Sequence, residues 1–431
     1  MHYFSTQRNA PNATFREAVE LGQPADGGLF FPSEIAQLSP KFLADLRSLA
    51  NSEVAFQIIR PYIDGEIPDT ELFEICSASV DFPFPMVGVA PGIHALELFH
   101  GPTLAFKDVG ARFMSRCLGY FSKERETKTL VIVATSGDTG GAVAAGFEGL
   151  ENVEVVILYP KGRVSRFQER QLTLTRDNVT TLEVRGSFDQ CQALAKRGLA
   201  DPELRRSAFI TSANSINVAR WLPQQFYYAF ALKDYAGEQP VFSVPSGNFG
   251  NIAAGLLMRA SGLPIQRFIA ACNANDTVPR FFQTGKFEPQ GSVPTLSSAM
   301  DVGDPSNFPR VLEIFGQDID RLKRVLTAVT VSDIETRETI KQVFADRGYV
   351  LDPHGAVAFR VLSDYLSEEP GFQGIFLETA HPSKFESISK ILGNYGVPPK
   401  DAADTSGWTK SVTEIDPEYE QVREIIRSRV Q

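Results

Sequence analysis

Short apolar runs alternate along the middle of the chain with longer segments whose apolar positions recur every three or four residues. The short runs predict strands at Ala95–Phe99, Leu130–Ala134, Val153–Leu158, Val179–Val184, Val241–Val244, Phe268–Ala271 and Gly374–Leu377. The periodic segments predict helices at Asp108–Tyr120, Gly140–Glu148, Arg166–Leu174, Phe188–Leu199, Val218–Asp234, Gly250–Ala260 and Ser383–Leu392. Strand and helix in turn imply right-handed crossovers, hence an α/β fold with a mostly parallel sheet covered on both faces. The length leaves room for two such sheets.

The pattern changes at both ends. Residues 1–90 read mainly as helices and loops. Ser39-Pro40 opens one helix, with a hydroxyl cap and proline at the first helical position, and Asp69 stands where it can cap another over Thr70–Val80. Asp81-Phe-Pro-Phe-Pro85 breaks both helix and central strand and marks a boundary. Gly285 to Pro309 reads as a long surface loop, and residues 401–431 as a polar C-terminal tail ending in a short helix near Pro417–Arg427. There is no repeat and no low-complexity tract.

Composition narrows the functional classes. A length of 431 residues exceeds one ordinary core, and a net charge of −10 opposes a broad surface for nucleic acid or anionic membrane. The four cysteines, Cys76, Cys117, Cys191 and Cys272, form no C-x-x-C pair and the chain has only 5 His, so no metal site is expected. Neither a signal peptide nor an apolar run of about 20 residues is read, which makes the cytoplasm the expected location. No obligate protein partner is evident.

Ligands of open α/β sheets bind beyond the carboxyl ends of the strands. Val241-Phe-Ser-Val-Pro-Ser-Gly-Asn-Phe-Gly250 runs from strand through a small-residue turn into a helix, which builds a phosphate cup from backbone amides and a helix N-terminus without a lysine. The spacing is neither that of a dinucleotide fingerprint nor that of a P-loop. Leu130-Val-Ile-Val-Ala-Thr-Ser-Gly-Asp-Thr-Gly-Gly141 repeats the theme, with hydroxyls from Thr135, Ser136 and Thr139 and amides expected to be open at Gly137, Gly140 and Gly141. Asp138 opposes an anion there. It either caps the helix or accepts a hydrogen bond from a ligand hydroxyl. In Gly374-Ile-Phe-Leu-Glu-Thr-Ala-His-Pro382, Thr379 just past a buried strand either caps or faces a ligand.

The remaining candidate is Lys107, in Leu98-Phe-His-Gly-Pro-Thr-Leu-Ala-Phe-Lys-Asp-Val-Gly110. After an apolar run it is either a surface lysine paired with Asp108 or a desolvated amine, neutral enough to attack an aldehyde.

These segments, with Ser212-Ala-Asn-Ser-Ile-Asn217, Leu351-Asp-Pro-His-Gly-Ala356, Tyr3-Phe-Ser-Thr-Gln-Arg8 and Gly27-Gly-Leu-Phe30, resemble the fold-type II pyridoxal-phosphate enzymes of the tryptophan synthase β-like group, and more narrowly the threonine synthase family of bacteria and yeast. The resemblance runs through nearly the whole chain in order. It implies two open, mostly parallel sheets covered by helices and a helical N-terminal domain over 1–90. A catalytic region over 91–400 follows, with a smaller subdomain near 113–215 inserted in it. It implies a carbon–oxygen lyase that carries pyridoxal 5′-phosphate as a Schiff base on Lys107. Gly247, Asn248, Phe249 and Gly250 would wrap the cofactor phosphate, Thr379 would meet the pyridine nitrogen and Asp138 would lie by the 3′-oxygen. Ser136, Gly137 and Thr139 would hold the substrate, O-phospho-L-homoserine, with Lys161 in a basic run to Arg166 near its phosphate. The implied products are L-threonine and phosphate. The alternative is a phospho-lyase of the same fold that gives 2-oxobutyrate, ammonia and phosphate.

Overall fold

The computed structural model describes residues 1–135, 137–393 and 410–430. Its strands are β1 (Tyr3–Ser5), β2 (Phe30–Pro32), β3 (Met86–Ala90), β4 (Ile93–Glu97), β5 (Thr129–Ala134), β6 (Val153–Pro160), β7 (Val179–Val184), β8 (Phe209–Thr211), β9 (Val241–Pro245), β10 (Arg267–Cys272), β11 (Leu326–Thr330), β12 (Gly374–Glu378) and β13 (Thr413–Ile415). They form a two-stranded ribbon, β1-β2, and two larger sheets of order β11-β10-β9-β12-β4-β3 and β13-β7-β6-β5-β8. Every pairing in the five-stranded sheet is parallel. In the six-stranded sheet only the β3–β4 edge is antiparallel.

All seven strands read from the apolar runs are present, because a strand covered on both faces is apolar at nearly every position. β5 and β7 are buried along their whole lengths. The strands the pattern missed are short or lie at edges. β11 is half exposed at its end, and β13 is buried only at Ile415. β3, which falls inside the N-terminal region as read from the sequence, is the antiparallel edge of the large sheet.

Several local expectations need correction. Ser39 does cap the helix Pro40–Asp45, accepting the Phe42 N–H at 3.0 Å. Asp69 is not a cap: it is the first helical residue after Pro68, and its carboxylate pairs with Arg60 at 2.8 Å. The helix expected over Val218–Asp234 is broken into Val218–Trp221, a 3₁₀ turn Leu222–Gln225 and Phe226–Asp234, since Pro223 has no N–H to continue the ladder. The segment from Gly285 to Pro309 is not a plain surface loop. Ser297, Met300 and Asn307 are buried, and a helix begins at Phe308. The short helix expected near Pro417–Arg427 is present as Tyr419–Val430, residues 401–409 lie outside the described residues, and what the pattern missed is that the end of the chain packs on the smaller sheet. β13 extends the smaller sheet beside β7, and helix Tyr419–Val430 buries Val422 and Ile426 in the core of that sheet.

The N-terminal region has no separate core. Tyr3, Phe15, Val54 and Ile58 belong to the same buried cluster as Phe113 and Trp221. Arg310 ties these parts together. Fully buried, it donates to the carbonyls of Phe30 (3.0 Å) and Ile216 (2.6 Å) and to Asn307 Oδ1 (2.8 Å), and lies 4.3 Å from the Trp221 ring centre. Burial pushes its guanidinium down to about 9. No helix of the described residues is long and apolar enough to cross a membrane.

Candidate active site

β9 and β12 are parallel neighbours, so the turn after β9 and Thr379 after β12 emerge at the same edge of the large sheet. The loop that carries Lys107 is stitched to that edge. The Leu98 N–H donates to the Glu378 carbonyl (2.9 Å), the Phe106 N–H to the Thr379 carbonyl (2.9 Å) and the His381 N–H to the Leu104 carbonyl (3.0 Å). Leu104 takes a left-handed φ of 57°, costly for a residue with a branched side chain, to let the loop turn back. Lys107 then starts the helix Lys107–Ser122.

Lys107 is half-buried, and the pairing with Asp108 does not occur. Asp108 points back into its own loop, where it accepts the Thr103 N–H (2.9 Å) and hydroxyl (2.5 Å). Burial lowers the Lys107 amine below the ordinary lysine range. Asp138 opposes that shift, while the cations of Lys384 and Arg220 add to it. Such an amine is a better nucleophile at neutral pH than a solvated one.

Asp138 is brought to Lys107 from the smaller sheet, but not as a cap. It is the first residue of helix Asp138–Phe147, and the cap position is Gly137. Its carboxylate is held by Lys384 Nζ at 2.8 Å and by Gln168 Nε2 at 3.0 Å. Burial alone would raise this carboxyl, but Lys384 and Lys107 override it and hold it below the usual range. Lys384 is fully buried and also donates to the Thr103 carbonyl (2.7 Å).

The two glycine-rich turns differ. Helix Gly250–Ala260 begins after Phe249, which sits at φ 59° and makes no side-chain cap, so the first-turn amides are open. Asn248 braces the turn from outside. Its Nδ2 donates to Ser215 Oγ (2.7 Å) and its Oδ1 accepts the Ser306 N–H (2.6 Å). A Cβ on Gly247 would lie 2.5 Å from the Met300 Cα. His354 secures that neighbour: its Nε2 accepts the Ala299 N–H (3.2 Å), and its Nδ1 faces Asp352 Oδ1 (2.5 Å). In the turn after β5, by contrast, Thr135 Oγ1 accepts the amides of both Gly137 (3.0 Å) and Gly140 (2.9 Å), and the Gly141 N–H donates to the Gly137 carbonyl (3.2 Å). The amides expected to be open at Gly137, Gly140 and Gly141 are therefore closed. Thr139 is half-buried, and Ser136 lies outside the described residues.

Lys161 ends up on the rim. It follows β6, remains about half exposed and pairs with Glu414 of β13, so its position lends no support to a substrate contact. Two buried cations at the centre were missed in the sequence. Lys384 follows the Glu378-Thr-Ala-His-Pro382 segment, and Arg220 lies three residues beyond Asn217. Arg220 donates to the Ala213 carbonyl, and its Nε is buried without a partner among the described residues. Burial pushes it down to about 10, against the pull of Tyr227 and Asp108. Gly110 is what admits it, since a Cβ there would lie 2.7 Å from the Arg220 carbonyl oxygen. The only signal for either residue was its place next to a recognised motif.

A desolvated lysine, a hydroxyl at a strand end and an uncapped helix N-terminus fit a phosphorylated aldehyde such as pyridoxal 5′-phosphate: the amine for its carbonyl, the open amides for its phosphate. With the two mostly parallel sheets, they define a fold-type II pyridoxal-phosphate-dependent enzyme. Residues 84–373 match the family model described as pyridoxal-phosphate dependent enzyme. Residues 2–80 match the threonine synthase N terminus, and residues 355–426 its C-terminal model. A threonine synthase from Haemophilus influenzae is 46% identical over 91% of this chain and 92% of its own length. Crystal structures of threonine synthases superpose over nearly all of both chains. The Escherichia coli protein does so at TM-score 0.91 with 41% identity, and a pyridoxal-phosphate-bound protein from Brucella melitensis at TM-score 0.93 with 34% identity. The chain belongs to the threonine synthase family, and its cofactor is pyridoxal 5′-phosphate.

Proposed function

We propose that this chain converts O-phospho-L-homoserine and water into L-threonine and phosphate in the cytoplasm, with Lys107 as the lysine that holds the cofactor. The observation that carries this reading is the Lys107 amine itself: desolvated, free of Asp108, and borne by a loop whose Phe106 N–H is bonded to the Thr379 carbonyl (2.9 Å). The cofactor, once bound, supplies an electron sink for carbanions next to the substrate nitrogen. The protein supplies placement and proton movement. The backbone of Gly247, Asn248, Phe249 and Gly250 receives the cofactor phosphate, with the helix N-terminus adding its partial positive charge. Thr379 meets the pyridine nitrogen with a neutral hydroxyl. Asp138 lies near the 3′-oxygen. Lys107, low in basicity when free, takes and returns the substrate's protons.

Gly137 and Thr139 line the substrate side, although the Gly137 amide is already committed to Thr135, and Ser136 is assigned to the substrate from its place in the motif alone. For the substrate phosphate, Arg220 is better supported than Lys161. It is a buried cation with an unfilled donor close enough to act on Lys107, whereas Lys161 is neutralised by Glu414. The 1–90 segment shares its core with the catalytic region of 91–400 and lends β3 to its large sheet, while the smaller subdomain near 113–215 is completed by β13 and the last helix. Four buried free cysteines suit a reducing compartment.

Incubation with O-phospho-L-homoserine and product analysis tests the reading. Threonine and phosphate in equal amounts are expected, and 2-oxobutyrate with ammonia in place of threonine would make the chain a phospho-lyase. Lys107→Ala is expected to lose cofactor attachment and at least about 10³-fold in activity. Full activity in that variant would remove Lys107 from its role.

A further inference from the structure

A half-buried lysine, Lys107, and a fully buried one, Lys384, act on one buried carboxylate at this site, and only Lys384 is paired with it. Asp138 Oδ1 lies 2.8 Å from Lys384 Nζ and 3.0 Å from Gln168 Nε2. Among the described residues, no carboxylate is in ion-pair contact with Lys107, although Asp138 acts on it electrostatically. Lys384 is fully buried, anchored by the Thr103 carbonyl at 2.7 Å, and its Nζ is 5.9 Å from the Phe167 ring centre. That anchoring fixes the ammonium between the Lys107 loop and the smaller sheet. We infer that Lys384 is a positioning residue which occupies Asp138 and thereby leaves Lys107 unpaired, as a free amine able to condense with the cofactor.

The reason is the cost of an isolated buried charge. A carboxylate shut away from water must find a cation or take up a proton. With Lys384 in place, the need of Asp138 is met, and its field at Lys107 is offset by an adjacent positive charge. Without that charge, the nearest remedy is Lys107 itself, which would bind Asp138 as an ammonium and cease to be a nucleophile. The charged groups acting on Lys107 are Asp138 on the helix after β5, Lys384 beyond β12 and Arg220 on helix Val218–Trp221. Lys384 also acts on Asp108 and His381. Asp108 is itself an anion and cannot replace Lys384 at Asp138, and the His381 Nδ1 is engaged with Ser383 (2.7 Å).

The inference rests on Lys107 being the cofactor-linked lysine, and the test separates the two. The full-length chain is stripped of cofactor, pyridoxal phosphate is added across a pH series, and the attached fraction is fixed with borohydride and located by peptide mapping. Lys107→Ala gives the control: label appearing at another lysine would refute the underlying site, whatever Lys384 does. With label at Lys107, Lys384→Met is expected to move the pH midpoint of attachment upward by about one unit, which slows attachment about tenfold below the midpoint. Adding Asp138→Asn to Lys384→Met should return the midpoint towards that of the unmodified chain. Asp138→Asn alone should move it downward, since the Lys384 charge is then unopposed. This single variant decides the matter if Lys384→Met does not fold. An unchanged midpoint in Lys384→Met, or an unchanged or upward one in Asp138→Asn, overturns the inference.

Discussion

The turn after β9 and the turn after β5 are written in nearly the same alphabet: a buried strand, then serine or threonine with glycines, then a helix. They use their amides in opposite ways. After β9, the helix starts uncapped behind a strained Phe249, and the bracing comes from outside, from Ser215, Ser306 and Met300. After β5, one hydroxyl, Thr135 Oγ1, gathers the amides of Gly137 and Gly140 and closes the turn on itself. The first arrangement leaves donors for a dianion; the second makes a rigid mount that delivers the Asp138 carboxylate. What a glycine-rich turn binds depends on whether a neighbour has already satisfied its N–H groups, because buried backbone donors do not stay unpaired.

The comparison breaks most readily at Gly247. Gly247→Ala puts a carbon 2.5 Å from the Met300 Cα, a backbone atom that cannot swing aside. Strain of about 1–3 kcal/mol is expected to fall on the cup. Cofactor affinity measured by equilibrium dialysis should drop about 10- to 100-fold, and an unchanged affinity would mean that the turn after β9 is not the phosphate site. Thr135→Val tests the other turn. It leaves two buried amides without their acceptor, which should cost about 1–3 kcal/mol of stability by denaturant unfolding. Cofactor affinity should change less than in Gly247→Ala, and a larger loss of affinity than of stability would show that this turn also binds the cofactor. The smallest effect belongs to the rim. Lys161→Ala removes a half-exposed ion pair and should leave stability within about 0.5 kcal/mol and kcat/KM within about twofold. A large rise in KM would return Lys161 to the substrate site.

The central strands were legible because burial on both faces favours apolar residues at most positions, as in β5 and β6. β13 was not, since Thr413-Glu-Ile415 becomes a strand only by lying against β7 more than two hundred residues upstream. The same division runs through the site. Lys107, Thr379 and the Gly247–Gly250 turn stand in local patterns of strand end, turn and helix start. Lys384 and Arg220 do not; each is a cation in an ordinary-looking stretch that becomes buried only when distant segments close around it.

By itself the sequence determined the alternation of strands and helices, the two glycine-rich turns and the lysine set among apolar neighbours, since these follow from which residues shun water and which backbone angles glycine allows. Tertiary structure alone decided which turn keeps its amides open and which cation is paired with Asp138. It also decided that Lys161 stands at the rim while Lys384 and Arg220 occupy the centre. Those outcomes depend on hydrogen bonds and charge pairs between segments far apart in the chain, and nothing local to any one segment specifies its partner.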